Sequence, residues 1–189
     1  MSIANTKDSY GVVAILLHWI MAILIVGLFV LGVYMVDLDY YSKWYNLAPW
    51  WHKCVGMLVF FLLIVRMIWV MINPRPEPLV TYKRWEILAA RFTHALFYIL
   101  LILICMSGYF ITTAKGASID LFGWFNIPAL GSLDKSQAEL SGEVHEIAAY
   151  VMLLLFLLHV CATVKHHFFD KDATLIRILK PINKKERSS

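Results

Sequence analysis

Seven histidines stand in a chain that is 60% hydrophobic and only 16% charged: His18, His52, His94, His145, His159, His166 and His167. Imidazole ligates metals, moves protons and changes charge near neutral pH. Inside an apolar segment an ionisable group is costly, and its presence there is a functional hypothesis by default. The stretch VHEIAAYVMLLLFLLHVCATVKHH, residues 144–167, carries one histidine near each end of an almost wholly apolar run. In a helix, the fourteen residues from His145 to His159 rise about 21 Å and leave the two side chains roughly 40° apart around the axis. One helix face therefore presents an imidazole near each membrane surface.

Depth supplies partners. His52 opens the apolar run that ends at Ile72, level with His145. His18 lies about a third of the way along the first apolar run, level with His159. The pairs predicted are His52 with His145 and His18 with His159. Bundle cores commonly build cofactor sites from side chains on facing helices. Haem b suits two neutral imidazoles in apolar surroundings, because histidine is a standard axial ligand and apolar walls accept the porphyrin. Two axial histidines fill the iron and favour electron transfer over oxygen binding. Zinc or copper is the competing ligand. A closed zinc site wants four N, S or O ligands, and beyond two histidines per depth only Cys54 and Glu146 are near, on one side. No CxxCH occurs, so covalent c-type attachment is not encoded.

Other polar residues cluster around these pairs. His94 stands near one end of the third apolar run and could neighbour the inner haem or its propionates, or simply bond another helix. His166 and His167 follow the inner ligand, beside Lys165, Asp170 and Lys171. A quinone needs hydrogen-bond donors and a proton route at that depth, which such a pair offers; from spacing alone a solvated basic helix end is the simpler reading. Arg66, Arg91 and Lys53 are candidates to neutralise haem propionates or to anchor at the interface. Gly27, Gly32, Gly56 and Gly108 allow close approach of a flat ring or of another helix.

The elements that must hold these residues are four apolar blocks, Val12–Val36, Val55–Ile72, Ala95–Thr113 and Ile147–Val164. Each is about long enough to cross a bilayer core. The predicted fold is all-α: one integral-membrane four-helix bundle over 1–189, with helices near 12–36, 52–72, 92–113 and 144–167. A β-barrel is excluded because the runs are continuous rather than alternating. The first block exceeds a signal-peptide core and no small-x-small site follows it, so it reads as a helix of the mature chain.

Charge sets an orientation. The segment 73–91 holds Arg75, Lys83, Arg84 and Arg91, and the tail holds Lys165, Lys171, Arg177, Lys180, Lys184, Lys185 and Arg187. The other two connections hold two lysines each, Lys43 and Lys53, then Lys115 and Lys135. The positive-inside rule places both termini and the middle connection in the cytoplasm. The tail is a topology and headgroup signal, not a nucleic-acid arm. Cys54, Cys105 and Cys161 are predicted to be buried, reduced thiols.

The connections carry their own signals. DLDYYSKWYNLAPWWHK suits the membrane interface, with a short surface helix broken at Pro49. NPRPEP at 73–78 stops the second helix. Thr81 is placed to cap the third, and DLFGWFNIP is an interfacial feature of the longest loop. The stretch after His167 is expected to add an amphipathic turn or two.

The segments HWIMAILIVGLFVLG, WHKCVGMLVFFLLIVRMIW, HALFYILLILICMSGYFITTA and VHEIAAYVMLLLFLLHVCATVKHHFFDKDATLIRIL, in that order and over nearly the whole chain, resemble the bacterial cytochrome b-561 family. The resemblance implies a multi-pass protein of the inner membrane with two non-covalent b haems. Its ligand pattern falls on His18 and His159 for the inner haem and on His52 and His145 for the outer. It also implies a quinone-linked oxidoreductase exchanging electrons with the ubiquinone pool. One branch of the family oxidises superoxide at the periplasmic face, and the HH pair resembles that branch's quinone-side residues, here His166 and His167. DYYSKWYNLAPWW and FGWFNIPALG are closer to a second branch. If superoxide is the donor, Lys43, Lys53 and Lys115 would attract it, against Asp37, Asp39 and Asp120. Two other readings stand beside this one: an anchor subunit for a periplasmic dehydrogenase or hydrogenase, and a haem-free metal transporter. Lipid, ubiquinone and a periplasmic donor are the expected partners, and a homo-oligomer is compatible with them.

Overall fold

The computed structural model describes residues 2–181. Lys184, Lys185 and Arg187 of the basic tail lie outside the described residues. In chain order the elements are α1 (Val12–Val36), α2 (Leu47–Ile72), α3 (Arg84–Thr113), β1 (Ile119–Leu121), β2 (Phe125–Ile127), α4 (Lys135–Phe168) and α5 (Thr174–Leu179). Each of the four long helices holds an 18-residue window of mean hydropathy between 2.2 and 2.8. Ile23, Val30, Ile68, Ile99 and Leu154 on these helices are exposed. In a bilayer such side chains meet hydrocarbon rather than water. This is the all-α, four-span class that the apolar blocks demand.

α1 keeps the predicted bounds. The other three begin earlier than the apolar blocks do, because polar first turns are set by caps rather than by hydropathy. α2 starts at Leu47 and runs through Pro49, so the expected break there does not occur. Proline in a first turn forfeits only an N–H that has no intrahelical partner. α3 starts at Arg84, where the Lys83 N–H donates to Glu86 Oε2 at 2.8 Å. Thr81 makes no side-chain hydrogen bond among the described residues. α4 starts at Lys135 through a reciprocal capping box: the Gln137 N–H donates to Asp134 Oδ1 at 2.9 Å, and the Asp134 N–H to Gln137 Oε1 at 3.2 Å. That arrangement satisfies two donors that a helix start leaves open. The NPRPEP stop holds as predicted, since α2 ends at Ile72.

The chain separates into two compact units. One comprises Met1–Ile20, Leu63–Tyr98 and Leu153–Ser189, the other Met21–Leu62 and Ile99–Met152. In the first, Arg177 of α5 is buried. Its Nη2 donates to the Glu77 carbonyl at 2.9 Å and the Asp8 carbonyl at 3.4 Å, with its guanidinium 5.8 Å from the Tyr10 ring. One side chain thus ties α5 to the N-terminal loop and to the α2–α3 connection. The Trp19 indole adds a bond to the Ile178 carbonyl at 2.8 Å.

In the second unit, β1 and β2 form an antiparallel hairpin with Ile119 opposite Ile127. Its turn places Phe122 and Gly123 at positive φ, and the Gly123 N–H donates to Asp120 Oδ1 at 3.0 Å. Asp120 also receives the Trp50 indole N–H at 2.9 Å, and its carbonyl accepts from the Cys54 thiol at 3.4 Å. The DLFGWFNIP stretch is therefore a hairpin pinned to the first turns of α2. All three cysteines are free thiols, but only Cys54 is buried; Cys105 is intermediate and Cys161 exposed. The expectation of three buried thiols fails because an apolar position on a membrane helix can face lipid instead of protein.

Candidate haem sites

Each unit brings together one of the histidine pairs. In the first, α1 carries His18 and α4 carries His159, with ring centroids 6.5 Å apart. In the second, α2 carries His52 and α4 carries His145, with centroids 6.2 Å apart. A metal–imidazole nitrogen bond is about 2.0–2.1 Å and the nitrogen lies about 1.1 Å from its ring centroid, so rings facing across one metal atom have centroids about 6.3 Å apart. Both pairs stand at that separation. Edge-to-face ring packing spans the same range, so the nitrogens carry the rest of the test.

His145 Nδ1 lies 2.9 Å from the Ile104 carbonyl and 3.2 Å from Ser107 Oγ. A carbonyl only accepts, so Nδ1 bears the proton and the Nε2 lone pair is free. That is the orientation a ligating imidazole needs, with its second nitrogen held by a backbone acceptor. His52 Nδ1 is buried without a hydrogen-bond partner among the described residues, so nothing competes for that ring. Two glycines make room for these rings. A Cβ on Gly108 would stand 3.0 Å from His145 Cε1, and one on Gly32 would stand 3.3 Å from His52 Cε1. Around Gly27 and Gly56 a Cβ would meet nothing within 4 Å, so those two leave open space instead.

The first site is more crowded and more charged. His94 of α3 places its ring 5.7 Å from that of His159, and Phe97 lies edge-on to His159 at 5.5 Å. Arg66 of α2 donates from Nη2 to His18 Nδ1 at 3.3 Å; a guanidinium only donates, so Nδ1 accepts here, and ligation through Nε2 requires the guanidinium to turn away from that nitrogen. Of the three cations proposed for propionates, Arg66 alone is placed beside a pair. Arg91 is exposed, and Lys53, next to His52 in the chain, is half-buried without an ion pair among the described residues. Trp69, one turn beyond Arg66 on α2, buries its indole N–H without an acceptor among the described residues. The only sign of Trp69 in the sequence is its spacing of three from Arg66, which puts both on one side of α2.

The zinc alternative lacks a donor set. Among the described residues, neither histidine pair gathers a third His, Cys, Asp or Glu donor into metal-binding reach. The one such cluster is Glu86, His166 and Asp170, and the Lys165 ammonium already bridges Glu86 and Asp170 there.

His166 and His167 part company. His166 Nδ1 lies 2.8 Å from Asp172 Oδ2 and 3.0 Å from Asp170 Oδ2, and its ring packs on Tyr82 at 5.1 Å. Asp172 is buried and also holds the Thr174 N–H and hydroxyl, and Thr174 Oγ1 bonds the Tyr82 hydroxyl at 2.6 Å. Burial pushes the Tyr82 phenol above its ordinary range and keeps it neutral. His167 Nδ1, by contrast, is buried and unpartnered among the described residues.

The comparisons with known proteins give the family. The model of the prokaryotic cytochrome b561 family matches residues 9–181. Cytochrome b561 homolog 2 of Escherichia coli (strain K12) is 44% identical over 179 residues, 95% of each chain. Cytochrome b561 homolog 1 of the same strain is 26% identical over 138 residues, covering 73% of this chain and 78% of its own. The four apolar helices thus coincide with a match along almost the whole length. The chain belongs to the prokaryotic cytochrome b561 family, haem b-binding electron-transfer proteins that span the bacterial inner membrane.

Proposed function

We propose that the chain holds two b haems, one between His18 and His159 and one between His52 and His145, and links a periplasmic electron donor to the ubiquinone pool. The observation that carries this reading is the pair of imidazole separations, 6.5 and 6.2 Å, each close to the span across one metal atom. Haem held by these histidine pairs would supply one-electron transfer rather than oxygen chemistry. The chain's own residues do the rest. Ile104 fixes the tautomer of His145, Gly32 and Gly108 admit the His52 and His145 rings, and Arg66 and the Trp69 N–H offer donors to an oxygen-bearing ligand.

His167 is the residue of the HH pair with an unspent ring nitrogen, which supports it as the hydrogen-bonding partner of a quinone. His166 is already committed to Asp170, Asp172 and Tyr82, and its part is to hold His167 and α5 in place. Superoxide is one donor of suitable size and charge. Lys43 and Lys115 are exposed, and Asp120, spent on Trp50 and Gly123, opposes them less than its charge alone suggests. The test is a dithionite-reduced minus oxidised spectrum of the purified protein with pyridine haemochrome quantitation. Two b haems per chain are expected. One or none, in protein made with adequate haem supply, overturns the pairing.

A further inference from the structure

The two imidazoles of the second unit are held in different ways. His145 is fixed through its ring, whose Nδ1 lies 2.9 Å from the Ile104 carbonyl and 3.2 Å from Ser107 Oγ. The His52 ring has no such tether, because its Nδ1 is buried without a hydrogen-bond partner among the described residues. An imidazole that binds a metal is ordinarily oriented by an acceptor on its other nitrogen. Without one, the place of the His52 ring follows from the backbone that carries it.

The hairpin holds that backbone. Trp50 and Cys54 stand four residues apart on α2 and so share one helix face, a turn apart. Both reach Asp120. The Trp50 indole N–H donates to its Oδ2 at 2.9 Å, and the Cys54 thiol donates to its carbonyl at 3.4 Å. Asp120 Oδ1 also closes the hairpin turn by accepting the Gly123 N–H at 3.0 Å. The same turn brings the Phe122 ring to 6.1 Å from the rings of both Trp50 and Trp51. His52 is two residues from Trp50 and two from Cys54, which puts it about 160° around the helix axis from each. The hairpin thus grips α2 just before and just after His52, on the side away from the imidazole.

We infer that Asp120 is a positioning residue for His52: by holding Trp50 and Cys54 it fixes the first turns of α2, and with them the 6.2 Å separation of the His52 and His145 rings. The hairpin then does for His52, through the backbone, what the Ile104 carbonyl does for the His145 ring directly. This inference rests on the reading of the two histidines as axial ligands. Released from the hairpin, His52 should give up its place to a small external ligand. Carbon monoxide on ferrous haem is the probe: the iron–nitrogen bond to His52 breaks, an iron–carbon bond forms, and no electron moves.

The experiment exposes the dithionite-reduced, purified holoprotein to carbon monoxide, with haem counted first by pyridine haemochrome. The unsubstituted protein and His159→Ala, which keeps only the His52–His145 haem, should show no change in the Soret band. Asp120→Ala should keep two haems and shift the band of one. Adding Asp120→Ala to His159→Ala should make the remaining haem bind carbon monoxide. Should Asp120→Ala lose haem or fail to fold, Trp50→Phe decides, since it keeps an aromatic ring and loses only the N–H; it should act in the same direction, more weakly. Inertness to carbon monoxide at full haem content, or a shift confined to the His18–His159 haem, overturns the inference. Fewer than two haems in the unsubstituted protein would fault the two-haem reading instead. Amide hydrogen exchange then judges Asp120 without haem: Asp120→Ala should speed exchange over residues 50–54 and leave 143–150 unchanged, and unchanged exchange at 50–54 overturns the inference.

Discussion

At His145 the Ile104 carbonyl determines which ring nitrogen is free, and the same question asked of each histidine sorts them. His18, His52, His145 and His159 belong to pairs at metal-spanning distance. His94 places its ring 5.7 Å from that of His159 and reads as a neighbour of that site rather than its ligand. His159→Ala should therefore cut haem from two per chain to one, and His94→Ala should leave two. An unchanged count in the first, or a loss in the second, would break the assignment. The HH pair divides in the same way. His167→Ala is expected to slow quinone reduction at full haem content, and an unchanged rate would return His167 to a packing role. His166→Ala should act on stability instead, by about 1 kcal/mol, because it removes a partner from the buried Asp172 carboxylate; a fall in melting temperature at an unchanged haem-to-protein ratio would show it.

The spacing of the histidines along the helices was legible in the sequence, because helical rise and rotation are fixed by the backbone. The start of α4 is written there too: Asp134-Lys-Ser-Gln137 has the capping-box pattern, about ten residues ahead of the hydrophobic run that apolar content alone marks. Arg66 on His18, and the buried Trp69 and His167 nitrogens without a partner among the described residues, were beyond the sequence, since they depend on side-chain rotamers and on which turns of different helices come together. Glycines lie between these cases. Four were singled out for close approach, and the structure separates Gly32 and Gly108, which face imidazoles, from Gly27 and Gly56, which face open space. A branched side chain at position 108 must push into the His145 ring, where even a Cβ would stand 3.0 Å from Cε1. Gly108→Val should therefore remove the haem of the His52–His145 site and spare the other. Two haems with unshifted spectra in that variant would mean that α3 or the ring moves aside at little cost.

Over the whole molecule the question is which way the chain crosses the membrane, and charge answers it. Residues 73–91 and the segment from Lys165 onward hold eleven of the seventeen arginines and lysines, while residues 37–54 and 114–144 hold two lysines each. Burial changes the weight of individual charges: Arg177 is spent on backbone carbonyls and Lys165 on Glu86 and Asp170. Arg75, Lys83 and Arg84 remain next to helix ends, where the positive-inside bias is strongest. The α2–α3 connection should therefore face the cytoplasm and the hairpin-bearing loop the periplasm. Single cysteines in a cysteine-free background test this directly, because Val80 is fully exposed in the first and Lys115 is exposed in the second. In intact cells a membrane-impermeant maleimide should label Lys115→Cys and not Val80→Cys, with Val80→Cys reacting only after lysis. The opposite pattern would invert the protein. It would put His167 on the periplasmic side and the hairpin on the cytoplasmic side, and the donor and quinone ends of the proposed electron route would have to change places.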